Sequence, residues 1–171
     1  RNAIGIVRLL VEKEIDIDLS NIIKDEKVLD FLLGRLESYL QGKGYRTDVI
    51  NAVLSLKDTN LYRNYLKVNA LSKITNLPDY ESIIQVFKRV GNIIPEGFKA
   101  DLDKSLIQNP YEKELYDKVS VVKDEYLKLI ENKNYEKALG KLIELKPFID
   151  RFFDNVMIMV EDEKVKQNRL A

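Results

Sequence analysis

The sequence contains neither cysteine nor histidine among its 171 residues. Without cysteine the chain can form no disulfide, and without either residue it can form no zinc site with cysteine or histidine ligands. The same two absences exclude a histidine general base and any serine or cysteine nucleophile activated by histidine. Catalysis would have to rest on carboxylates or lysines, so we expect a non-catalytic chain.

Long apolar runs are missing as well. No stretch of about 18 apolar residues is present, and the charges in the first 14 residues are too closely spaced for a membrane span or a signal peptide. Glycine-rich phosphate loops, repeats and low-complexity segments are also absent from the sequence. We therefore expect a cytoplasmic protein with no membrane partner.

What the chain does contain is typical of a folded globular domain: 45% hydrophobic and 33% charged residues. Its 28 basic and 28 acidic side chains balance, so net charge indicates no polyanionic partner. The charges are unevenly distributed, however. Residues 35–92 carry nine basic and five acidic side chains, whereas the segments on either side each have two more acidic than basic side chains.

Apolar residues recur at helical spacing along almost the whole chain, which predicts an all-α bundle of about eight helices. Only the IDIDL segment at 15–19 is ambiguous between helix and strand. The predicted helices cover 3–14, 25–41 with Asp25 as N-cap and Gly44 as stop, 47–56, 59–74, a helix capped by Asp79 and ending by Pro95, 115–129, 135–145, a helix starting near Pro147, and a last helix capped by Asp162.

Both ends of the chain look cut. Nothing before Arg1 offers a capping residue for the first helix, and the last helix stops without a C-cap. We therefore expect this chain to be a piece of a longer protein. The stretch 95–110, with two prolines and one glycine, is the one candidate boundary between subdomains.

Acidic clusters occur at Asp16 with Asp18 and at 161–163. Such clusters could hold a hard cation only if their oxygens converge in space, and a hydrolase would need the same convergence. A chain with 28 acidic residues contains many accidental pairs. We therefore interpret these clusters as solvated surface and helix N-termini, with no metal site.

The basic middle segment mixes cations with aromatic rings and amides. This combination suits single-stranded RNA, because cations neutralise phosphates, rings stack on unpaired bases at about 1–3 kcal/mol per base, and amides bind base edges. The alternative of packed rings and solvated charge stays open on these residues alone. The residues concerned are Tyr45, Arg46, Tyr62, Arg63, Tyr65, Lys67, Phe87, Lys88, Arg89 and Asn92.

Four stretches, taken together, resemble a known family. They are RNAIGIVRLL at 1–10, GYRTDVINAVLSL at 44–56, QVFKRVGNII at 85–94, and YEKALGKLIELKPFIDRFFDNVMIMVEDEKVKQNRLA at 135–171. In this order they are similar to the C-terminal, DALR-like anticodon-binding domain of the bacterial glycyl-tRNA synthetase beta subunit. The resemblance spans essentially the whole chain, so 1–171 is predicted to be one anticodon-binding domain.

This resemblance implies a helical domain that binds the anticodon stem-loop of glycine tRNA. It places ATP and glycine on the separate alpha subunit, so no cofactor is expected here and the fragment itself would be non-catalytic. The implied partners are tRNA(Gly), the alpha subunit and the rest of the beta subunit in a heterotetramer, with no DNA. The alternative function is a helical protein–protein interaction module with no RNA role.

The residues predicted to bind tRNA are Tyr45, Arg46, Tyr62, Arg63, Lys67, Lys88, Arg89, Asn92 and Arg169. The cations would hold the backbone, while a tyrosine or the amide would meet splayed anticodon bases. Two alternatives remain: Arg89 and Asn92 could tie helix ends together, and Arg169 could brace the terminal hairpin.

The chain departs from the family pattern at two places. Val86 and Phe87 stand where the family commonly has Ala-Asn, and Lys67 stands where it often has arginine, which removes the geometry for bidentate phosphate contact. Near the C-terminus, at least three of Phe152, Phe153, Val156 and Met157 are predicted to be core.

Overall fold

A computed structural model of the chain describes residues 2–171, and within them it shows helices and no strand. The all-α prediction is confirmed. The α-helices are α1 Asn2–Glu12, α2 Glu26–Gly42, α3 Thr47–Leu54, α4 Leu61–Ile74, α5 Tyr80–Ile93, α6 Pro110–Glu131, α7 Tyr135–Ile143, α8 Lys146–Asn155 and α9 Glu163–Leu170. Two short 3-10 helices lie at Leu19–Asn21 and Lys104–Leu106.

Local capping fixes most of the helix starts. The Asp25 carboxylate accepts a hydrogen bond from the Lys27 N–H at the start of α2, and Asp162 accepts from two N–H groups of α9. Asp79 precedes α5 as predicted but makes no side-chain capping bond. Gly44, at φ 88°, follows the end of α2 in a conformation that glycine adopts readily.

The first helix is shorter than predicted. It ends at Glu12, and Glu14 has a φ of 55°, which no α-helix accommodates. The predicted continuation of this helix before Arg1 lies outside the described residues. The ambiguous IDIDL segment leads into the first 3-10 helix, where Asp18 accepts from the Ser20 N–H.

Contacts divide the chain into two compact units. The first comprises Arg1–Leu77 with Lys133–Glu136, and the second comprises Pro78–Asn132 with Lys137–Ala171. The candidate boundary at 95–110 lies inside the second unit. It is attached there because Phe98 packs against the second unit's core and the Asp103 N–H donates to Asn168 Oδ1 at 2.6 Å.

The core of the first unit lies among α1, α2, α3 and α4. Each helix contributes side chains that are almost completely buried, and each such side chain contributes about 1.5–3 kcal/mol through burial. The most deeply buried of them are Val7, Leu36, Leu40, Ile50, Leu61 and Val68.

The second unit has two apolar clusters. The first joins α5, α6 and α8 through Val86, Val122, Leu145 and Ile149. The second is formed by Phe152, Val156, Ile158 and Leu170. Phe153 is partly buried and packs against both clusters.

The prediction that at least three of the four residues near the C-terminus are core is confirmed for two of them. Phe152 and Val156 are buried and Phe153 is partly buried, whereas Met157 is 74% exposed. Helix α8 ends at Asn155, so the chain beyond it alternates, with Val156 and Ile158 inside and Met157 outside. Among residues 2–171, no helix has both the length and the apolar character needed to cross a membrane.

Candidate nucleic-acid interface

The nine residues predicted to bind tRNA divide between the two units. Five lie in the first unit, namely Tyr45, Arg46, Tyr62, Arg63 and Lys67. Four lie in the second, namely Lys88, Arg89, Asn92 and Arg169.

Arg63 and Lys67, on α4 of the first unit, face carboxylates of the same unit. Lys67 Nζ lies 2.7 Å from Asp58 Oδ2, where both side chains are mostly buried. The Arg63 guanidinium lies 3.6 Å from Asp16 and 3.8 Å from Asp58. Their charges are therefore compensated within the protein before any phosphate approaches.

The same network includes a buried amide and a third cation. Asn60 accepts from the Arg63 N–H at 2.8 Å, which caps α4, and donates to Asp16 at 2.6 Å. Lys133 also pairs with Asp16, and its hydrogen bond is the main cause that holds the pKa of that carboxyl below its usual value. Within residues 2–171, no acidic cluster is arranged to hold a metal ion.

Tyr45 and Arg46 also have partners in the first unit. The Tyr45 ring packs edge-on against Tyr65 with centroids 6.4 Å apart, and burial is the main cause that raises its pKa to about 12. Its hydroxyl donates to Asn69 at 3.3 Å. Arg46 is exposed and contacts both oxygens of Asp48 at 3.1 and 2.6 Å.

Tyr62, the remaining predicted residue of the first unit, is half-buried on α4. Its pKa is raised, first by burial and then by the neighbouring carboxylate of Glu14. A half-buried phenol of this kind presents only part of its ring to a base.

Arg169, in the second unit, is part of a buried ion pair. Its Nε lies 2.5 Å from Glu112 Oε1, and its Nη1 donates to the Met157 carbonyl at 2.8 Å. The other oxygen of Glu112 accepts from the N–H groups of Gln108 and Asn109 and so completes the capping box of α6. These contacts favour the alternative that Arg169 braces the C-terminal helix.

Gln85, Lys88, Arg89 and Asn92 form a different arrangement, which we call the α5 strip. They follow i, i+3, i+4, i+7 spacing, are all exposed, and line one shallow, open surface of α5 with Ile93. Within residues 2–171, neither Lys88 nor Arg89 pairs with a carboxylate. The strip therefore offers two uncompensated positive charges flanked by two amides.

Two phenylalanines explain how the α5 strip is held. Arg89 Cζ lies 4.1 Å from the centroid of the Phe153 ring, which belongs to α8. Phe87 is partly buried against the first cluster of the second unit. Gln85 was not among the predicted residues, although the helical spacing could have indicated it. Phe153 was not among them either, because no local signal marks it as a partner of α5.

The DALR anticodon binding domain matches residues 79–171, which is more than half of the chain and runs from α5 to α9. The chain belongs to the DALR anticodon-binding domain family. The α5 strip and Phe153 both lie within the matched residues of this DALR chain.

The whole DALR chain is similar to longer proteins. It is 70% identical to the glycine–tRNA ligase beta subunit of Sulfurihydrogenibium sp. strain YO3AOP1, covering 100% of this chain and 25% of that protein. Identity is 41% to the subunit of the same name from Persephonella marina, again over the whole chain and 28% of the relative. The chain thus spans about a quarter of the length of these curated relatives, and the predicted resemblance is confirmed.

Proposed function

We propose that this chain binds the anticodon stem-loop of glycine tRNA as a non-catalytic part of a glycyl-tRNA synthetase beta subunit. In this proposal ATP and glycine bind to the alpha subunit, and the chain works with that subunit and the rest of the beta subunit in a cytoplasmic heterotetramer. The DALR family and the names of the relatives support the proposal.

The observation that carries the proposal is the α5 strip. Its two cations lack carboxylate partners within the described residues, so they are available to phosphates without breaking an existing ion pair. Its two amides lie on the same helical face, where they can donate to and accept from base edges. Backbone contacts and base contacts are therefore both available on one exposed surface.

The proposal assigns tRNA binding to fewer residues than the nine predicted from the sequence. Lys88, Arg89 and Asn92 are retained and Gln85 is added. Arg63, Lys67 and Arg169 are assigned structural roles, because releasing them would leave partly or fully buried carboxylates without a counter-charge. For Tyr45, Arg46 and Tyr62, a tRNA-binding role stays a prediction.

The test is a titration of the 171-residue chain with three RNAs: glycine tRNA, the same tRNA with its two anticodon cytidines replaced, and an unrelated tRNA. We expect the first to bind most tightly. Two phosphate contacts predict that log affinity falls with log salt at a slope of about −1.5. Replacing Lys88 with alanine should reduce the magnitude of this slope by about 0.7–0.9, because one contact is lost.

Lys123 supplies a matched control. It is an exposed lysine of the same unit, on α6, and Lys123→Ala should leave both affinity and slope unchanged. Equal affinity for all three RNAs, or binding that does not depend on salt, would contradict the proposal. No binding to any RNA would favour the protein-interaction alternative.

A further inference from the structure

We propose that Arg89, backed by the Phe153 ring, is a stacking platform for one unpaired base of the RNA loop and is more than a charge that contacts phosphate. The inference rests on the proposed function and gives Arg89 and Phe153 separate roles in it: Arg89 touches the RNA, and Phe153 positions Arg89. The ligand class is a single nucleobase splayed out of a loop.

The Phe153 ring is a fixed support. It packs against both apolar clusters of the second unit and meets the Phe152 ring edge-on, with centroids 5.9 Å apart and planes at 66°. Two such contacts leave the ring little freedom to follow a moving partner. An arginine held against it at 4.1 Å is therefore restrained before RNA arrives, which reduces the conformational entropy lost on binding.

Other arginine–phenylalanine pairs of the chain differ in ways that matter. Arg151 Cζ lies 4.8 Å from the Phe148 ring, but its guanidinium also contacts both carboxylate oxygens of Glu114, so its charge is already compensated by a carboxylate. Arg35 lies 4.7 Å from Phe31, one turn away on the same helix, and that ring is 50% exposed. Within residues 2–171, Arg89 thus combines a partly buried ring from another helix with donors that no carboxylate occupies.

The surroundings of Arg89 fit a base better than a phosphate alone. A planar guanidinium stacks on a base face, which a lysine ammonium cannot do. Asn92 and Gln85 lie about one turn to either side on the same exposed face, where their amides can meet the edge of a base that rests on Arg89. Lys88 supplies the neighbouring positive charge for the backbone.

The experiment measures binding of glycine tRNA and of three versions in which each anticodon nucleotide in turn is replaced by an abasic residue. Arg89→Lys keeps the charge and removes the plane. We expect it to weaken binding of glycine tRNA by about tenfold, as loss of one stacked base would, with the salt slope unchanged. On the abasic RNA that lacks the stacked base, Arg89→Lys and the unchanged chain should bind equally.

Phe153→Leu should reproduce much of the loss without changing any charge, and Phe153→Tyr, which keeps the ring, should bind like the unchanged chain. Melting curves identify any variant that fails to fold. Arg35→Lys is the matched control, because it alters the same kind of pair in the first unit and should leave binding unchanged.

Two results would overturn the inference. One is binding by Arg89→Lys that equals the unchanged chain, which would show that charge alone suffices. The other is an equal loss by Arg89→Lys on glycine tRNA and on all three abasic RNAs, which would show that no base is stacked. Failure of the proposed function is distinct, since the unchanged chain would then bind all tRNAs alike or bind none.

Discussion

Replacing Arg169 with methionine is expected to destabilise the second unit by about 3–5 kcal/mol. The side chains of Arg169 and Glu112 are only 11% and 6% exposed, and their charged atoms lie 2.5 Å apart. Methionine preserves most of the side-chain length but removes the charge. The Glu112 carboxylate would then be buried without a counter-charge, and this desolvated anion is the source of the large loss.

An exposed ion pair gives the matched comparison. Arg46 and Asp48 lie 2.6 Å apart, nearly as close, but their side chains are 55% and 60% exposed. Water compensates both charges when the pair is broken, so Arg46→Met should lower the free energy of unfolding by less than about 1 kcal/mol. Because the two distances are nearly equal, the difference between the two losses in free energy of unfolding reports the effect of burial.

The assay is urea denaturation followed by circular dichroism, on Arg169→Met, Glu112→Gln and the double variant. For a unit of this size, a loss of about 3 kcal/mol lowers the urea midpoint by about 1–3 M. Glutamine at position 112 keeps an acceptor oxygen for the capping N–H groups, so the double variant should lose less stability than the two single losses added together.

A loss below about 1 kcal/mol for Arg169→Met, or no coupling between the two sites, would refute the reasoning. The fold would then not depend on Arg169, and the prediction that Arg169 contacts tRNA would be favoured again.

Three further predictions concern the stability of each unit. Leu36 is fully buried, and Leu36→Ala should lower the free energy of unfolding by about 2–5 kcal/mol in urea denaturation; a loss under about 1 kcal/mol would contradict the described core. Lys67→Met leaves Asp58 without its nearest cation, so it should lower the free energy of unfolding by about 1–2 kcal/mol in the same assay. No loss would show that the ion pair does not contribute to stability. Hydrogen bonds from lysines of α6 and α7 lower the pKa of Glu144 from 4.5 to about 2, so the stability it contributes is complete above about pH 4.5 and is lost as the pH falls toward 2. In Glu144→Gln the melting temperature should therefore fall less steeply as the pH is lowered over that range. A fall as steep as in the unchanged chain would contradict a stabilising role for the Glu144 carboxylate.

The helices were predictable because their signals are local. Asp25, Pro147 and Asp162 mark starts that depend on side chains within one turn, and the apolar spacing identified the buried faces. Errors arose where neighbouring residues compete for one role. The fourth helix was predicted from residue 59, but Asn60 and not Thr59 provides the cap, so the helix begins at Leu61.

The division into units was less accessible from sequence. Proline and glycine at 95–110 report where the backbone turns, which is a local property. Whether such a segment separates two units depends on what it packs against, and Phe98 and Asp103 attach it to residues near the C-terminus. Contacts of this kind leave no pattern in the neighbouring sequence.

The candidate interface shows the same limit. Composition identified Lys88, Arg89 and Asn92, which the structure exposes together on α5. It could not distinguish them from Lys67 or Arg169, because the carboxylates that pair with those two cations come from other parts of the fold. Charge counting along a chain treats a compensated cation and an uncompensated one alike.

The segment Lys133–Glu136, which leads into α7, has a practical consequence for shortening the chain. Although this segment falls within the family match that starts at residue 79, two of its side chains form ion pairs with earlier residues: Lys133 pairs with Asp16, and Glu136 lies 2.5 Å from Lys73. Tyr135, only 8% exposed, faces Lys67 at 5.8 Å from its ring centroid. A truncated protein cut at the start of the match would carry this tyrosine without Lys67, so the borders of the homologous region are poor guides for designing an expression clone.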